Sequence, residues 1–179
     1  MEVNERALAK MLCKDARSQF EKYTPRIVRC LQLLSEKEIW WRPNDASNAA
    51  GNIVLHLCGN VRQWIISGLG GAPDLRERDK EFSERGPFPR RVLISRLKST
   101  VKEACQTIDR MPPTKLSQEF EIQGFRVSGL AAIAHVCEHF AYHTGQIIYL
   151  TKLKRGRDLR FTRLPPFGRS PRRTFASRP

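Results

Sequence analysis

Apolar residues recur along the first part of the chain at spacings of three and four: Leu8, Met11/Leu12, Ala16, Phe20, Tyr23, Ile27, Cys30/Leu31 and Leu34. That period predicts an amphipathic helix from residue 5 to about 34. Pro25 falls inside it, so a kink or a break is expected near Tyr23-Thr24. Ser35-Glu36-Lys37-Glu38 has the form of a capping box, opening a short turn that ends before Pro43. In the connector Trp40-Trp41-Arg42-Pro43-Asn44 the tryptophans read as apolar anchors, as does Trp64 later. A second helix is predicted from a cap at Ser47 or Asn48 to Ser67, terminated by Gly68, Gly70 and Gly71. Pro73 to Pro89 is charged and punctuated by Pro and Gly, which reads as a loop. A third helix spans roughly Arg90 to Arg110, with Val92/Leu93, Leu97, Val101, Ala104/Cys105 and Ile108 on one face, and Met111-Pro112-Pro113 stops it. From 116 to 127 the period changes: Phe120, Ile122, Phe125 and Val127 alternate with Glu119, Glu121 and Arg126 around Gln123-Gly124, a small hairpin or extended loop. Ser128 then caps a fourth helix reaching about Leu153. The fold class is all-α, a four-helix bundle with a long crossover and that small hairpin before the last helix.

Composition narrows the function classes. A chain of 179 residues, 40% hydrophobic and 28% charged, builds one globular domain with a core. No apolar run approaches the roughly 20 residues of a membrane helix. The N-terminus carries Glu2 and Glu5 and does not lead into a secretory signal. Five cysteines are scattered singly with no C-x-x-C pair, which excludes a disulfide framework and a zinc ribbon and points to a reducing cytoplasm. The net charge of +14 is uneven: residues 1–150 hold 22 Lys and Arg against 17 acids, whereas 151–179 hold 10 against one. The chain therefore divides into a bundle over 1–160 and a basic Arg/Pro-rich tail over 161–179. Such a tail attracts phosphates, but no recognition motif accompanies it, and Phe161, Phe167 and Phe175 are too few for a stacking array. Nucleic acid is not the expected partner.

All four histidines fall on the second and fourth predicted helices: His56, then His135, His139 and His143. The last three share one face, drifting only about 80° around the helix. Ring nitrogens must each lie about 2.1 Å from a shared ion, so one ion takes either His135 with His139 or His139 with His143. His56 is the histidine left to complete either pair. Three neutral imidazoles on one side of an ion leave positions open for water or substrate, as catalytic sites do. Asn60 and Gln63 lie on the His56 face, Tyr142 and Gln146 near the His139 face, and Glu138 at its edge, about 100° away. His135, Glu138 and Tyr142 are the candidate proton-transfer groups. No Glu follows a histidine in the zinc-protease manner. Arg62 reads as a surface ion pair, and the cysteines as small apolar residues.

The stretches Asn52 to Trp64 and His135 to Gln146, with Trp41-Arg42-Pro43, resemble the DinB/YfiT-like superfamily of bacterial four-helix bundles over about residues 10 to 160. In that family one histidine of the second helix joins two from an H-x-x-x-H-[RT]-G-Q motif on the fourth. The resemblance thus implies His56, His139 and His143 as metal ligands and leaves His135 beside the ion or facing substrate. It also implies a divalent ion, zinc or nickel first, with manganese and iron also suited to imidazole, and a homodimer. The activity it implies is that of a metal-dependent enzyme, a hydrolase or thiol S-transferase, activating water or a thiol toward a small molecule, with a low-molecular-weight thiol as one substrate. The alternative in a different class is a non-catalytic metal-binding or stress-response module. The chain departs from the family pattern in its Arg- and Pro-rich segment after Phe161.

Overall fold

The computed structural model describes residues 4–86 and 88–162. Helix α1 (Glu5–Leu33) starts where the Asn4 side chain accepts the backbone N–H groups of Arg6 and Ala7, satisfying donors that a helix cannot satisfy internally. Of the kink or break expected at Pro25, the break does not occur: the helix continues through it. Proline deletes one helical hydrogen bond, but Phe20 on one side and Ile27, Cys30 and Leu31 on the other are fully buried and hold both halves against the core. The capping box forms as read from the sequence and opens α2 (Glu36–Ile39), with Glu38 N donating to Ser35 Oγ (3.2 Å) and Ser35 N to Glu38 Oε2 (2.8 Å).

Helix α3 (Ala50–Val61) is buried on every face, as befits a helix enclosed by its neighbours. Neither Ser47 nor Asn48 caps it. The N-cap is Ala49, and the acceptor comes from inside the helix, where Asn52 Oδ1 receives Ala49 N–H (3.3 Å). Beyond Val61 the chain widens into a π-helix, Arg62–Leu69, instead of continuing as an α-helix to Ser67. Gly70 caps it. Gly68, expected as a terminator, lies within the π-helix, where a Cβ would come 2.5 Å from Ile122 Cδ1. Its bare backbone seats the hairpin.

The segment read as a loop, 73–89, contains a helix, α4 (Arg78–Ser83). Six residues do not sustain a helix in isolation, and tertiary contacts account for this one. The buried Asn52 Nδ2 donates to Glu81 O and Glu84 O (both 2.9 Å), and Arg42 Nη2 donates to Phe82 O (2.9 Å), taking up carbonyls that a helix end leaves free. Helix α5 (Arg90–Arg110) and a 3-10 turn (Pro113–Leu116) lead to the hairpin of β1 (Glu119–Ile122) and β2 (Phe125–Ser128). The strands pair antiparallel from Glu119↔Ser128 to Ile122↔Phe125. Gln123 and Gly124 both have positive φ (55° and 78°), as a two-residue type I′ turn requires. Ser128 Oγ accepts from Ala131 N (3.1 Å) and caps α6 (Gly129–Arg155), which runs two residues past Leu153 before Gly156 closes it in the left-handed conformation.

The chain is an all-α four-helix bundle of α1, α3 with its π extension, α5 and α6. Phe20 meets Phe140 edge-on (5.2 Å), and Arg155 pairs with Glu38 just beyond the end of α1, so α1 and α6 run in the same direction. Contacts from Arg17 to Asp109 (2.7 Å) and from Arg90 to Leu34 O (2.8 Å) set α5 against α1. His56 lies on His139 and Trp64 on His135, which sets α3 against α6. Two successive helices, α3 and α5, therefore point the same way, and the crossover carrying α4 spans the length between them. Residues 163–179, most of the basic tail, lie outside the described residues. Among those described, no helix is long and apolar enough to cross a membrane.

Candidate metal centre

His56 projects from α3 toward α6, which presents His139 and His143 one turn apart. One nitrogen from each ring lies within 4.8 Å of the other two, and no thiol or carboxylate joins the group among the described residues. The closest approach is His56 Nε2 to His139 Nε2, 2.8 Å. The His143 ring centroid lies 4.9 Å from that of His56 and 4.4 Å from that of His139.

Two of the rings are held from behind. His56 Nδ1 lies 3.0 Å from Glu81 Oε2, and the Arg76 guanidinium grips both carboxylate oxygens at 2.8 Å. Arg76 Nη2 also lies 3.1 Å from His56 Nδ1. A ring nitrogen cannot donate to the carboxylate and accept from the guanidinium at once. The carboxylate takes the Nδ1 proton, since a charged acceptor makes the stronger hydrogen bond, and that leaves the Nε2 lone pair facing α6. Gln63 extends the chain of contacts, accepting from Arg76 Nη1 (2.8 Å) and donating to Asp74 Oδ2 (2.8 Å). Phe82 covers the His56 ring at 4.7 Å. Gly59 leaves the room this needs, because a Cβ there would come 1.8 Å from Glu81 Oε1. On α6, His143 Nδ1 lies 2.7 Å from Gln146 Oε1 and donates to it, which again leaves Nε2 free.

The electrostatics favour the neutral form of the two α6 rings. His139 is held down to about 3, first by burial and then by the adjoining His143, His56, His135 and Arg76. Burial lowers His143 as well, against the opposing hydrogen bond to Gln146. Burial alone would raise Glu81, but the hydrogen bonds from Arg76 and His56 and the Arg76 charge bring its carboxyl below the ordinary range. Burial pushes the Cys58 thiol up to about 12 and that of Cys137 to about 11, so both stay protonated and neither is suited to bind an ion.

The donor set fits a divalent cation. With the His56 proton on Nδ1, the 2.8 Å gap between Nε2 atoms is bridged only if His139 carries its proton on Nε2; a cation in place of that proton satisfies both lone pairs. One turn beyond His56 on the same face, Asn60 is 3% exposed and its Oδ1 has no hydrogen-bond partner among the described residues. Such an orphan is costly when buried.

Of the residues singled out for proton transfer, His135 stacks on His139 (5.4 Å between centroids) and lies against Trp64 (4.2 Å), outside the three-ring group. Tyr142 meets His143 edge-on at 5.0 Å and is 63% exposed. Glu138 is exposed, and its charge opposes the lowering of His135 that burial causes. Arg62 pairs with Glu103, as expected of a surface residue. Sequence reading missed Glu81 and Arg76. They belong to a run of six charged residues, 76–81, in which nothing distinguishes them. The available signal was chemical: an imidazole that ligates through Nε2 needs an acceptor at Nδ1, and Gly59, three residues after His56, marks where one enters.

A bundle of this topology with a three-histidine group between its second and last long helices defines a class, and solved structures share the fold. A DinB-like protein, YjoA, from Bacillus subtilis superposes with a TM-score of 0.62 at 16% identity, covering 81% of this chain and 94% of that one. A DinB-like protein from Bacillus cereus gives 0.59 at 14% identity, covering 79% and 91%. The fold is DinB-like. Over residues 7–167 the sequence matches the family described as "Protein of unknown function (DUF1572)", and the chain belongs to that family. Among curated proteins none matches.

Proposed function

We propose that the chain binds one divalent metal ion through His56, His139 and His143, and that it is a metal-dependent enzyme activating water or a thiol for attack on a small molecule. The observation that carries this reading is the preorientation of the cluster. Glu81 and Gln146 engage Nδ1 of His56 and His143, and one nitrogen of each of the three rings lies within 4.8 Å of the other two. Metal-binding imidazoles regularly receive such support. A bound divalent ion supplies Lewis acidity, bringing the pKa of a coordinated water or thiol near neutrality. Zinc and nickel are the first candidates, with manganese and iron also compatible with imidazole. His135, against His139, and Tyr142, at the edge of His143, would hold and pass protons, with Glu138 tuning His135. A low-molecular-weight thiol as substrate and a homodimer, which the family resemblance carries, and a cytoplasmic setting, which the scattered cysteines favour, complete the reading.

The test is elemental mass spectrometry of the purified, untagged chain beside a His56→Ala/His139→Ala variant. About one divalent ion per chain, absent from the variant, supports the site. No ion in either protein after incubation with zinc or nickel sinks it. If cobalt loads stoichiometrically but azide leaves its visible spectrum unchanged, the ion has no exchangeable position and the non-catalytic module replaces the enzyme.

A further inference from the structure

Beside His143 a cleft of about 590 Å³ runs between α6 and the connector that leads into α3, a size typical of small-molecule sites. Its walls include Pro43, Asn48 and Ile53 on one side and Tyr142, Gln146 and Tyr149 on the other. Ile53 lies one turn before His56 on α3, and Tyr142 and Gln146 both touch His143. None of the three histidines lines the cleft, but through Tyr142 and Gln146 its wall adjoins His143, and it extends along the C-terminal half of α6.

Its chemistry is unlike that of the rest of the surface. None of the residues lining it is charged, although 28% of the chain is charged and the net charge is +14. Two tyrosines stand largely exposed on its rim, Tyr142 at 63% and Tyr149 at 64%, offering rigid flat faces of the kind that grip planar groups. Gln146 joins the cleft to the cluster. Its Oε1 receives the His143 Nδ1 proton, and its Nε2 finds no partner among the described residues. That amide nitrogen, on the cleft wall, is a fixed donor.

We propose that this cleft is the substrate-binding part of the metal site and takes an uncharged small molecule with a planar apolar face and a hydrogen-bond acceptor, such as a carbonyl or amide oxygen. The inference rests on the metal-site reading above. A charged molecule would give up hydration with no countercharge to meet it. The acceptor oxygen meets Gln146 Nε2, the flat face lies against Tyr142 and Tyr149, and the reacting group extends past His143.

Gly145 supplies a clean way to close the cleft. It lies on the lining, and a Cβ built there meets nothing within 4 Å, so a substituted side chain starts out into open space. The experiment is a methyl NMR titration of the full zinc-loaded chain, following Ile53 and Leu150, with benzamide, benzoate and benzylammonium as probes. Zinc per chain and melting temperature are measured in parallel for the wild type, Gly145→Ala and Gly145→Trp. Saturable shifts with benzamide, weaker by about tenfold for either charged probe, kept in Gly145→Ala and lost in Gly145→Trp at unchanged zinc content, support the proposal. Full zinc content with no benzamide shift overturns it and leaves the metal site standing. Benzamide binding in a chain that takes up no zinc overturns the assignment of the cleft to a metal site. A concentration-dependent dimer that shields Ile53 and Leu150 from the probe overturns it in favour of a second copy of the chain.

Discussion

The two oxygens of Glu81 keep a proton on His56 Nδ1 and neutralise Arg76, with both side chains under one-tenth exposed. Glu81→Gln preserves the shape and removes the charge, leaving a buried guanidinium uncompensated. The expected result is a 10- to 100-fold loss of metal affinity, roughly the usual cost of deleting the acceptor behind a ligand imidazole. The metal-free chain should also lose about 3–5 kcal/mol of stability. A chelator competition titration reads the first and urea denaturation the second; unchanged affinity would mean that Glu81 does not orient His56. Protonation tests the same cluster from the other side. His139 is depressed to about 3 in the fold, against an ordinary value of 6.5. Between those values the unfolded chain binds a proton that the folded chain does not, so stability rises with pH across the window and is lost as pH falls through it. The metal-free wild type is expected to weaken steadily from about pH 7 toward pH 4, and His139→Gln to lose less over that span. Equal losses in the two proteins would show that His139 is not the group responsible.

Helix α4 exists because other elements hold it. Asn52, fully buried on α3, gives its Nδ2 protons to the carbonyls of Glu81 in α4 and of Glu84, which caps it, and keeps Oδ1 for Ala49 N and Arg42. Asn52→Ala is expected to cost about 1–3 kcal/mol through the carbonyls it leaves unpaired. Because Glu81 travels with α4, metal affinity should fall too, although Asn52 lies one turn from His56 and touches no imidazole. Unaltered affinity in a folded Asn52→Ala chain would show that α4 stays in place without it. The same dependence explains what could be read in advance. The long helices and the hairpin were legible because periodic burial and turn chemistry are local, and the H-x-x-x-H spacing put three imidazoles on one face of α6. Helix α4 was not legible: it has no side-chain cap, an unbroken run of charges, and contacts 29 and 32 residues away through Asn52. The π-helix was hidden for a similar reason. Gly68 signals an ending when read locally, and only the Ile122 side chain packed onto it shows why the helix continues. The α3 cap was misread because its acceptor, Asn52, follows the capped position, and pattern reading looks for it before.

At the scale of the whole molecule, His56 and His139 are 83 residues apart in sequence and belong to helices running in opposite directions. An ion held by both closes a loop that contains α4, α5 and the hairpin, and it binds only the folded chain, because the unfolded one does not bring these imidazoles together. Binding of that kind stabilises by mass action. All three imidazoles of the cluster lie before Phe161 in the sequence. Zinc at a hundred times its dissociation constant should therefore add about 2.7 kcal/mol. For a chain of this size that raises the melting temperature by roughly 5–10 °C. His56→Ala/His139→Ala should show no rise, and a chain truncated after Phe161 should show the full one. Differential scanning calorimetry with and without zinc separates the cases. An equal rise in the double variant would place the ion on surface groups, and a rise lost on truncation would bring the tail into the site; either result would end the assignment of the ion to the three histidines alone.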